Sequence, residues 1–245
     1  MDKGKFLAAR KSLHNHKGIG TLGEKTLHSV LKNYYEEHTE NHEIKVGGYV
    51  ADIVGENGII EIQTRNFDKL RKKLTAFLEV CDVTIVYPVA QIKWLCWVDT
   101  KSGEITKKRK SNKKGIPHEI FHELYKIKEF LDNPRLKIII CMLELEEYRL
   151  LNGWSEDRKK GSTRSERIPV EIIDEIIIEN IIDYKRLIPE GLTSGFSAKD
   201  FSMLTKLSIN RAQTALNILN HVHAVNRISK KGNAYIYKIN DETSD

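Results

Sequence analysis

An asparagine followed by a glycine, Asn57-Gly58, stands between two short apolar segments and constrains the fold more than any other feature of the sequence. Both residue types adopt the positive φ values that a two-residue hairpin turn requires. The flanking segments 43–54 and 59–64 are rich in Val and Ile, which is typical of strands. With Asn57 and Gly58 as the turn residues, position 54 faces 61 and position 52 faces 63. The sequence therefore predicts an antiparallel hairpin of defined register.

The polar residues of this hairpin are expected to lie on one face. Side chains directly opposite each other share a face, and alternation keeps positions two apart together, so Asp52, Glu61 and Gln63 should converge. Isoleucines at the alternate positions predict a core on the other side. Two carboxylates on neighbouring strands suit Mg²⁺ or Mn²⁺, ions that bind phosphate oxygens and activate water. The pattern indicates phosphodiester hydrolysis, and the alternative is a hairpin with a solvated polar face.

The order of the other elements predicts an α/β fold. Helical spacing of apolar residues indicates a helix at 22–35, before the hairpin, and another at 67–80, after it. Further strands and a helix are expected along the chain: strands at 83–89 (ended by Pro88), 92–99, 104–110 and 136–143, and a helix near 118–131. The segment 168–195 fits either a strand or a helix. This order predicts a mixed central sheet flanked by helices.

The hairpin motif resembles that of the PD-(D/E)XK nuclease superfamily. Asp52 is followed after eight residues by Glu61-Ile62-Gln63, and a helix bearing Glu24 precedes the hairpin. The resemblance extends over about residues 20–90 and implies a restriction-endonuclease-like fold in which Asp52 and Glu61 bind the metal ion. In that superfamily the residue two positions beyond the glutamate is usually a lysine that steadies the attacking water, and here it is Gln63.

This glutamine changes the expected chemistry. Gln63 can orient a water molecule by hydrogen bonding but carries no positive charge. A lysine of the following helix is then needed to supply it: Lys69, Lys72 or Lys73. Glu24 has two interpretations, since the resemblance implies an additional catalytic carboxylate, whereas Thr21 and Glu24 also form a T-x-x-E capping box worth about 1 kcal/mol.

Positive charge is concentrated in a few segments. The chain has 40 Lys and Arg residues against 34 Asp and Glu, and its net charge of +6 favours polyanionic partners. Six of the eight residues in 107–114 are basic, and a second basic group lies within 158–167. Arg65, Lys72 and Lys73 follow the motif and are expected to contact phosphates. All of these groups are equally typical of a solvated surface.

Residues 196–245 resemble a winged helix-turn-helix domain. Ser197 and Ser208 are candidate N-caps of two helices, and strands are expected at 224–229 and 234–239. In such domains the second helix enters the DNA major groove and the hairpin contacts the backbone. The resemblance implies DNA contacts by seven residues: Asn210, Arg211, Gln213, Thr214, Asn217, Lys230 and Lys231. Many winged helices instead bind protein or dimerise, and that alternative stays open.

These patterns divide the chain into a nuclease-like domain at 1–160, a connector at 161–195 and a winged-helix domain at 196–245. The three cysteines lie in apolar runs without a CxxC spacing and are expected to be reduced core residues. No apolar run has the length of a membrane span, and the N-terminus lacks a signal-peptide core. We therefore expect a cytoplasmic location and no membrane partner.

The leading hypothesis is a Mg²⁺- or Mn²⁺-dependent deoxyribonuclease. Asp52 and Glu61 would bind the metal, Gln63 would lie beside the attacking water, and Glu24 would be a carboxylate outside the first metal's ligands or a ligand of a second metal. The alternative is a DNA-binding regulator with a catalytically inactive nuclease-like domain, and a third hypothesis is a phosphodiesterase acting on RNA or nucleotides. DNA is the expected partner, with a homodimer as a further expectation where both strands are cut.

Overall fold

A computed structural model describes residues 1–14, 25–153, 161–192 and 195–240. Within these ranges, seven strands form one mixed sheet in the order β1-β2-β3-β4-β6-β7, with β5 paired to β4. The α/β class and the mixed sheet flanked by helices are thereby confirmed. Glu24, Thr21 and residues 158–160 of the second basic group lie outside the described ranges. No described helix has the length and apolar character needed to cross a membrane.

The segment predicted as one strand at 43–54 is a hairpin. β1 (His42–Val46) pairs antiparallel with β2 (Tyr49–Gly55), and Val46 faces Tyr49 across a two-residue turn. The turn residues Gly47 and Gly48 have φ of 55° and 83°. Positive φ at both positions matches the twist of the flanking strands, so this Gly-Gly pair carries a hairpin signal of its own.

The register predicted for the next hairpin is wrong by two residues. β3 (Gly58–Ile62) pairs with β2 so that Ile53 faces Ile60, Val54 faces Ile59 and Gly55 faces Gly58. Gly58 has φ 98°, and a Cβ there would lie 2.3 Å from the Asp82 carbonyl oxygen. Gly58 is therefore needed where the strand passes the Asp82 backbone rather than inside the turn. The same register extended by one pair sets position 52 opposite 61.

The strand predicted to end at Pro88 continues past it. β4 runs from Val83 to Asp99 and is parallel to both β3 and β6 (Leu136–Leu151). Proline is tolerated because β3 has already ended at Ile62. The Val86 and Ala90 carbonyls both point to the β3 side, so the Pro88 nitrogen also faces the side where the ladder has stopped. The predicted hairpin after Asp99 is present, with β5 (Arg109–Lys110) paired to β4.

The segment assigned to a connector at 161–195 contains a long strand of the main sheet. β7 (Thr163–Ile178) pairs antiparallel with β6 along most of its length. The strand interpretation of this ambiguous segment is correct up to Ile178, and a short 3-10 helix, Ile181–Leu187, follows. The large sheet therefore extends beyond the expected boundary at residue 160.

Helices cover both faces of the sheet. On one face α1 (Lys3–His14) and α2 (Lys25–Tyr35) pack against Ile53, Ile62 and Val86 in a small core. The other face carries α3 (Arg71–Leu78) and α4 (Phe121–Leu124), the latter flanked by 3-10 turns, over a larger core. Cys96 and Cys141 are buried and Cys81 is half-buried, all as free thiols. Since α1 was not predicted, one covering helix was missed.

The C-terminal residues form two helices and a small sheet as expected. α5 (Ala198–Thr205) begins with a capping box of Ser197 and Asp200, and α6 (Ile209–His221) buries the predicted stripe that includes Ala212 and Leu216. Strand β8 (Phe196–Ser197) and the hairpin of β9 (Val225–Lys231) and β10 (Ala234–Ile239) pair in the order β8-β10-β9. This unit shares the larger core with α4.

Candidate active site

Asp52 and Glu61 meet where β2 is irregular. Ala51 belongs to the larger core and Ile53 to the smaller one, although residues two apart in a regular strand share a face. At this irregularity the Ile62 N–H donates to Asp52 Oδ2 at 2.8 Å, and the Asp52 N–H donates to Glu61 Oε1 at 3.3 Å. Each carboxylate thus accepts a backbone N–H from the neighbouring strand, and these two bonds hold the side chains together.

Lys73 of α3 completes the surroundings of Glu61. Its ammonium group lies 3.0 Å from Oε1 and 2.8 Å from Oε2 of Glu61, whose side chain is only 2% exposed. Burial and the negative charge of Asp52 outweigh this ion pair and raise the pKa of Glu61 to about 7. At neutral pH Glu61 is therefore poised between its neutral and charged forms, and a further cation would favour the charged form.

His28 of α2 holds Asp52 from the opposite face of the sheet. Its Nε2 lies 3.2 Å from Asp52 Oδ2 and 2.8 Å from the Ile62 carbonyl oxygen. Both partners are acceptors, so Nε2 carries the proton. Burial opposes the charged imidazolium, yet the bond to Asp52 prevails and the pKa of His28 is raised. Burial likewise opposes the Asp52 carboxylate, but the hydrogen bond and charge of His28 lower its pKa.

We call His28, Asp52, Glu61 and Lys73 the acidic centre. Asp52 and Glu61 were predicted from the hairpin, and Lys73 was one of three candidate lysines. His28 was missed as a partner. Its signal in the sequence is that His28 and Lys32 stand one turn apart on the polar side of an amphipathic helix.

The remaining predicted residues lie around this centre. Gln63 follows the end of β3, and its amide donates to the Arg65 carbonyl oxygen at 2.6 Å instead of facing Glu61. Arg65 and Lys72 are exposed. Because β3 stops at Ile62, strand alternation does not extend to Arg65 and does not set the side on which it lies.

A groove opens beside the acidic centre. Its volume is about 390 Å³, and the residues that line it are His28, Ser29, Lys32, Glu43, Ile62, Gln63 and Thr64. Glu43 has φ 56° and pairs with Lys32 at 2.7 Å. Of the four residues of the acidic centre, His28 lines the groove, and Ile62, which donates to Asp52, lines it as well.

The carboxylate oxygens of Asp52 and Glu61 are the kind of ligand that a hard divalent cation prefers. His28 Nε2 contacts Asp52 Oδ2 and the Ile62 carbonyl oxygen, and Lys73 Nζ donates to both oxygens of Glu61. In the described ranges no group of three or more His, Cys, Asp and Glu side chains is arranged to hold a metal ion. Mg²⁺ is often held by one or two carboxylates together with waters and substrate phosphates, so Asp52 and Glu61 are the residues of this centre that could hold it.

The residues expected to contact DNA from α6 separate into two groups. Asn210, Arg211 and Gln213 are exposed, whereas Thr214 and Asn217 are half-buried. Lys128 Nζ donates to Asn217 Oδ1 at 3.0 Å, so Asn217 is held by the large domain. A groove of about 590 Å³ lies between α6 and the β9-β10 hairpin and includes Gln213, Asn217 and Lys231.

The hairpin beside this groove combines aromatic rings and cations. The guanidinium of Arg227 lies 4.3 Å from the ring centroid of Tyr235, and Lys230 Nζ lies 5.6 Å from it. Lys230 and Lys231 belong to the exposed end of β9 rather than to the turn in which they were expected. Their exposure leaves them available to an anionic ligand.

Comparison with known proteins assigns the chain to a family. Residues 25–179 match the family described as "Domain of unknown function (DUF8091)", and the chain belongs to that family. An "Uncharacterized protein" of Treponema pallidum (strain Nichols) is 28% identical over 162 residues, which cover 66% of this chain and 61% of that protein. The chain thus spans about three fifths of that relative's length. No solved structure matches the chain.

The matched region defines which parts of the molecule belong to the family domain. It begins with α2 and ends after β7, so it contains all four residues of the acidic centre and the whole strand path from β1 to β7. The elements from α5 to β10 lie outside it. The acidic centre therefore lies inside the matched region, and the C-terminal unit lies outside it.

Proposed function

We propose that this protein is a metal-dependent phosphodiesterase that hydrolyses DNA, with a PD-(D/E)XK-like catalytic domain of restriction-endonuclease-like fold and a C-terminal winged helix. The observation that carries the proposal is the acidic centre, in which Asp52 and Glu61 meet on adjacent strands and a lysine from the next helix reaches the buried glutamate. This combination of hard anionic ligands and a neighbouring cation suits a phosphodiester and its attacking water.

Each residue has a role that follows from its contacts. Asp52 and Glu61 would hold Mg²⁺ or Mn²⁺, which polarises a phosphate and lowers the pKa of a bound water. His28 keeps Asp52 ionised and fixes its orientation through the 3.2 Å bond. Lys73 supports the charged form of Glu61 and supplies positive charge beside it, which Gln63 cannot do. Glu24 stays a predicted outer carboxylate.

The C-terminal unit would position the nucleic acid. Exposed Asn210, Arg211 and Gln213 are available for contacts with base edges, while Lys230 and Lys231 extend from the adjacent hairpin toward a phosphate backbone. Asn217 is assigned a different role, since its bond to Lys128 fixes α6 to the large domain. A homodimer stays a prediction.

The first experiment is a cleavage assay on supercoiled plasmid and on labelled single- and double-stranded DNA, in Mg²⁺, in Mn²⁺ and in EDTA. Asp52→Asn should lower the cleavage rate by about a thousandfold or more, because several kcal/mol of metal-dependent stabilisation is lost. Glu56→Gln is the matched control, since it removes a carboxylate from the exposed turn of the same hairpin. Cleavage that survives in Asp52→Asn, or in EDTA, would refute the assignment.

One observation favours a second function, that of a DNA-binding regulator without turnover. The Gln63 side chain is directed to the Arg65 carbonyl oxygen, so it is not beside Glu61 in this arrangement. A regulator would bind DNA equally well in Mg²⁺ and in EDTA and would leave it intact under every condition. In that case Gln63→Lys is the next variant to assay, because it restores the charge that the superfamily usually has there.

A further inference from the structure

The groove of the C-terminal unit, between α6 and the β9-β10 hairpin, differs in its chemistry from the groove beside the acidic centre. We call it the hairpin groove. Its volume is about 590 Å³, and three cations line it: Lys199, Arg227 and Lys231. Within the part of the chain that the structure describes, none of its lining residues is acidic. Such a lining favours a ligand that carries negative charge.

Two aromatic rings line the hairpin side of the hairpin groove. Tyr235 and Tyr237 stand two residues apart on β10, so their side chains lie on the same face of the strand. Tyr237 is only 4% exposed and stacks on Phe196 with 6.1 Å between the ring centroids. Tyr235 is 45% exposed. Tyr237 therefore belongs to the core of the C-terminal unit, whereas the ring of Tyr235 is open to a ligand.

Cations restrain the exposed ring of Tyr235. Arg227 faces Tyr237 across the hairpin, and its guanidinium lies 5.8 Å from the centroid of that ring and 4.3 Å from the centroid of Tyr235. Lys230 faces Tyr235 directly, with Nζ 5.6 Å from the same centroid. A cation over an aromatic face is attracted by the ring quadrupole. These contacts orient the ring and place positive charge beside it.

Two amide side chains add hydrogen-bonding groups to the hairpin groove. Gln213 comes from α6 and Asn233 from the turn between β9 and β10, and both are exposed. An amide presents a donor and an acceptor side by side, which is the arrangement that pairs with the edge of a nucleobase. The hairpin groove thus combines an exposed ring, cations and amides, which suit the face of a base, its phosphate and its edge.

This combination suits an unpaired nucleotide rather than a duplex. Inside a duplex the faces of each base are covered by its stacked neighbours, so a protein ring can reach a base only when that base is single-stranded or extruded. Sites for single strands combine a positively charged groove with aromatic side chains on which bases stack. The volume of the hairpin groove is in the range of sites for small ligands and is far too small for a duplex.

We infer that the hairpin groove binds an unpaired nucleotide of the DNA substrate, with the base stacked on Tyr235, its edge at Gln213 and the phosphate at Lys231. Exposed Asn210 and Arg211 do not line the hairpin groove and stay available to an adjoining duplex. This inference rests on the proposed function, because it names the class of DNA that the C-terminal unit would present to the acidic centre. That class is a duplex that continues into a single strand.

The test measures affinity by fluorescence anisotropy for three forms of one duplex: blunt, with a single-stranded extension, and with the same extension built from abasic nucleotides. All measurements are made in EDTA, so that binding is independent of metal and turnover. Both polarities of the extension are measured, and the more tightly bound one is used. The extension should strengthen binding about tenfold, the effect expected for one base stacked on an aromatic ring. The abasic extension keeps the phosphates but should lose most of this gain.

Variants of Tyr235 separate stacking from other contacts. Tyr235→Ala should remove the preference for the extension, and Tyr235→Phe should keep it, because phenylalanine retains the ring and loses only the hydroxyl. Ile228→Ala is the matched control, since Ile228 is an apolar residue of the same hairpin, is 54% exposed and does not line the hairpin groove. Circular dichroism checks that each variant is folded.

A second measurement needs no variant. A fluorescent base analogue, placed in the extension next to the duplex, should lose emission when it stacks on the ring of Tyr235 in the original protein. The same loss is expected with Tyr235→Phe. Unchanged emission at saturating protein would contradict stacking even if Tyr235→Ala failed to fold.

Equal affinity for the blunt and extended duplexes, or binding to none of them, would overturn the inference. Equal affinity for the two extensions would also overturn it, because the hairpin groove would then contact only phosphates. A preference that depends on the bases and on the ring of Tyr235 would support the inference even if no condition gives cleavage, and the proposed function would then fail alone. Metal-dependent cleavage without this preference would mean that the inference alone fails.

Discussion

The acidic centre and the group around Glu147, whose carboxylate contacts Lys93, Arg149 and Arg167, place a buried glutamate in opposite electrostatic settings on one sheet. Glu61 has one cation, Lys73, and a neighbouring carboxylate, and its pKa rises to about 7. Glu147 has three cations and a lowered pKa. Burial is nearly identical at 2% and 1% exposure, so the neighbours decide the difference. The first glutamate has one cation against a neighbouring carboxylate, and the second has three cations around it.

The largest expected difference between the two is in stability. Glu147→Gln should lower the free energy of unfolding at pH 7 by about 3 kcal/mol, because three clustered cations lose the buried carboxylate that they contact. Glu61→Gln should cost less than about 1 kcal/mol at pH 8, since the fold already favours a neutral group there. Urea denaturation with a probe of tertiary structure measures both.

The pH dependence sharpens this stability test. Because the folded-state pKa of Glu147 is lowered, its contribution is present above the ordinary pKa and lost as the pH falls through the folded value. The difference between the original protein and Glu147→Gln should therefore shrink in acid. A constant difference at all pH values would mean that packing, and not charge, makes Glu147 important.

Cleavage should show the raised pKa of Glu61 directly. In the proposed function the ionised form would bind the metal, so the rate at low Mg²⁺ should fall about tenfold for each pH unit below 7. Protons and metal compete for the same carboxylate, and higher Mg²⁺ should move the midpoint of the profile to lower pH. A cleavage rate that stays constant between about pH 5.5 and about pH 7.5 would contradict the assignment of Glu61 as a metal ligand.

Replacing Lys73 should move the same midpoint upward. Lys73→Met removes the only cation that contacts Glu61 in the described residues, and the apparent pKa should rise by about one unit. Lys72→Met is the control, because Lys72 is its exposed neighbour. Equal profiles for the two variants would show that Lys73 has no electrostatic role at Glu61.

The smallest effects are expected on α6, where Arg211 is exposed and Asn217 is hydrogen-bonded to Lys128. Arg211→Gln should weaken DNA binding by about 1 kcal/mol, since Arg211 is exposed. Asn217→Ala should leave affinity nearly unchanged and lower stability by about 0.5 kcal/mol through the lost bond to Lys128. Fluorescence anisotropy measures DNA affinity, and thermal unfolding measures stability. If Asn217→Ala weakened DNA binding and Arg211→Gln did not, Asn217 and not Arg211 would be the residue of α6 that contacts DNA.

The sequence predicted the acidic pair correctly although its register was wrong. A slip of two residues preserves the face on which each side chain lies, whereas a slip of one would have separated Asp52 from Glu61. The slip itself arose because Gly58 was read as a turn residue, while its actual constraint is the Asp82 backbone across the sheet. Local patterns thus recovered the face and missed the pairing.

Local sequence patterns could not predict the contacts between elements that are far apart along the chain. Lys73 was one candidate among three, and packing of α3 on the sheet selects it. His28 required knowledge of how α2 crosses the hairpin edge. Glu147 lies on β6 in what reads as an ordinary strand, and only its pairing with Arg167 on β7 and its proximity to Lys93 on β4 distinguish it. Pro88 predicted a strand end that the structure does not have, because the neighbouring strand β3 stops before the proline is reached.

The hydrophobic core shared between the sheet and the C-terminal unit has a consequence for modularity. Phe121 and Leu124 of α4 belong to the same buried cluster as Phe201 and Leu216, and His118 packs edge-on against Phe201 at 6.0 Å. The family region stops at residue 179, before these partners begin. The C-terminal unit therefore buries apolar residues of α4 and completes the hydrophobic core of the large sheet. A truncation at residue 192 should unfold at lower temperature and self-associate, and a family member without this unit needs another segment to shield α4 from water.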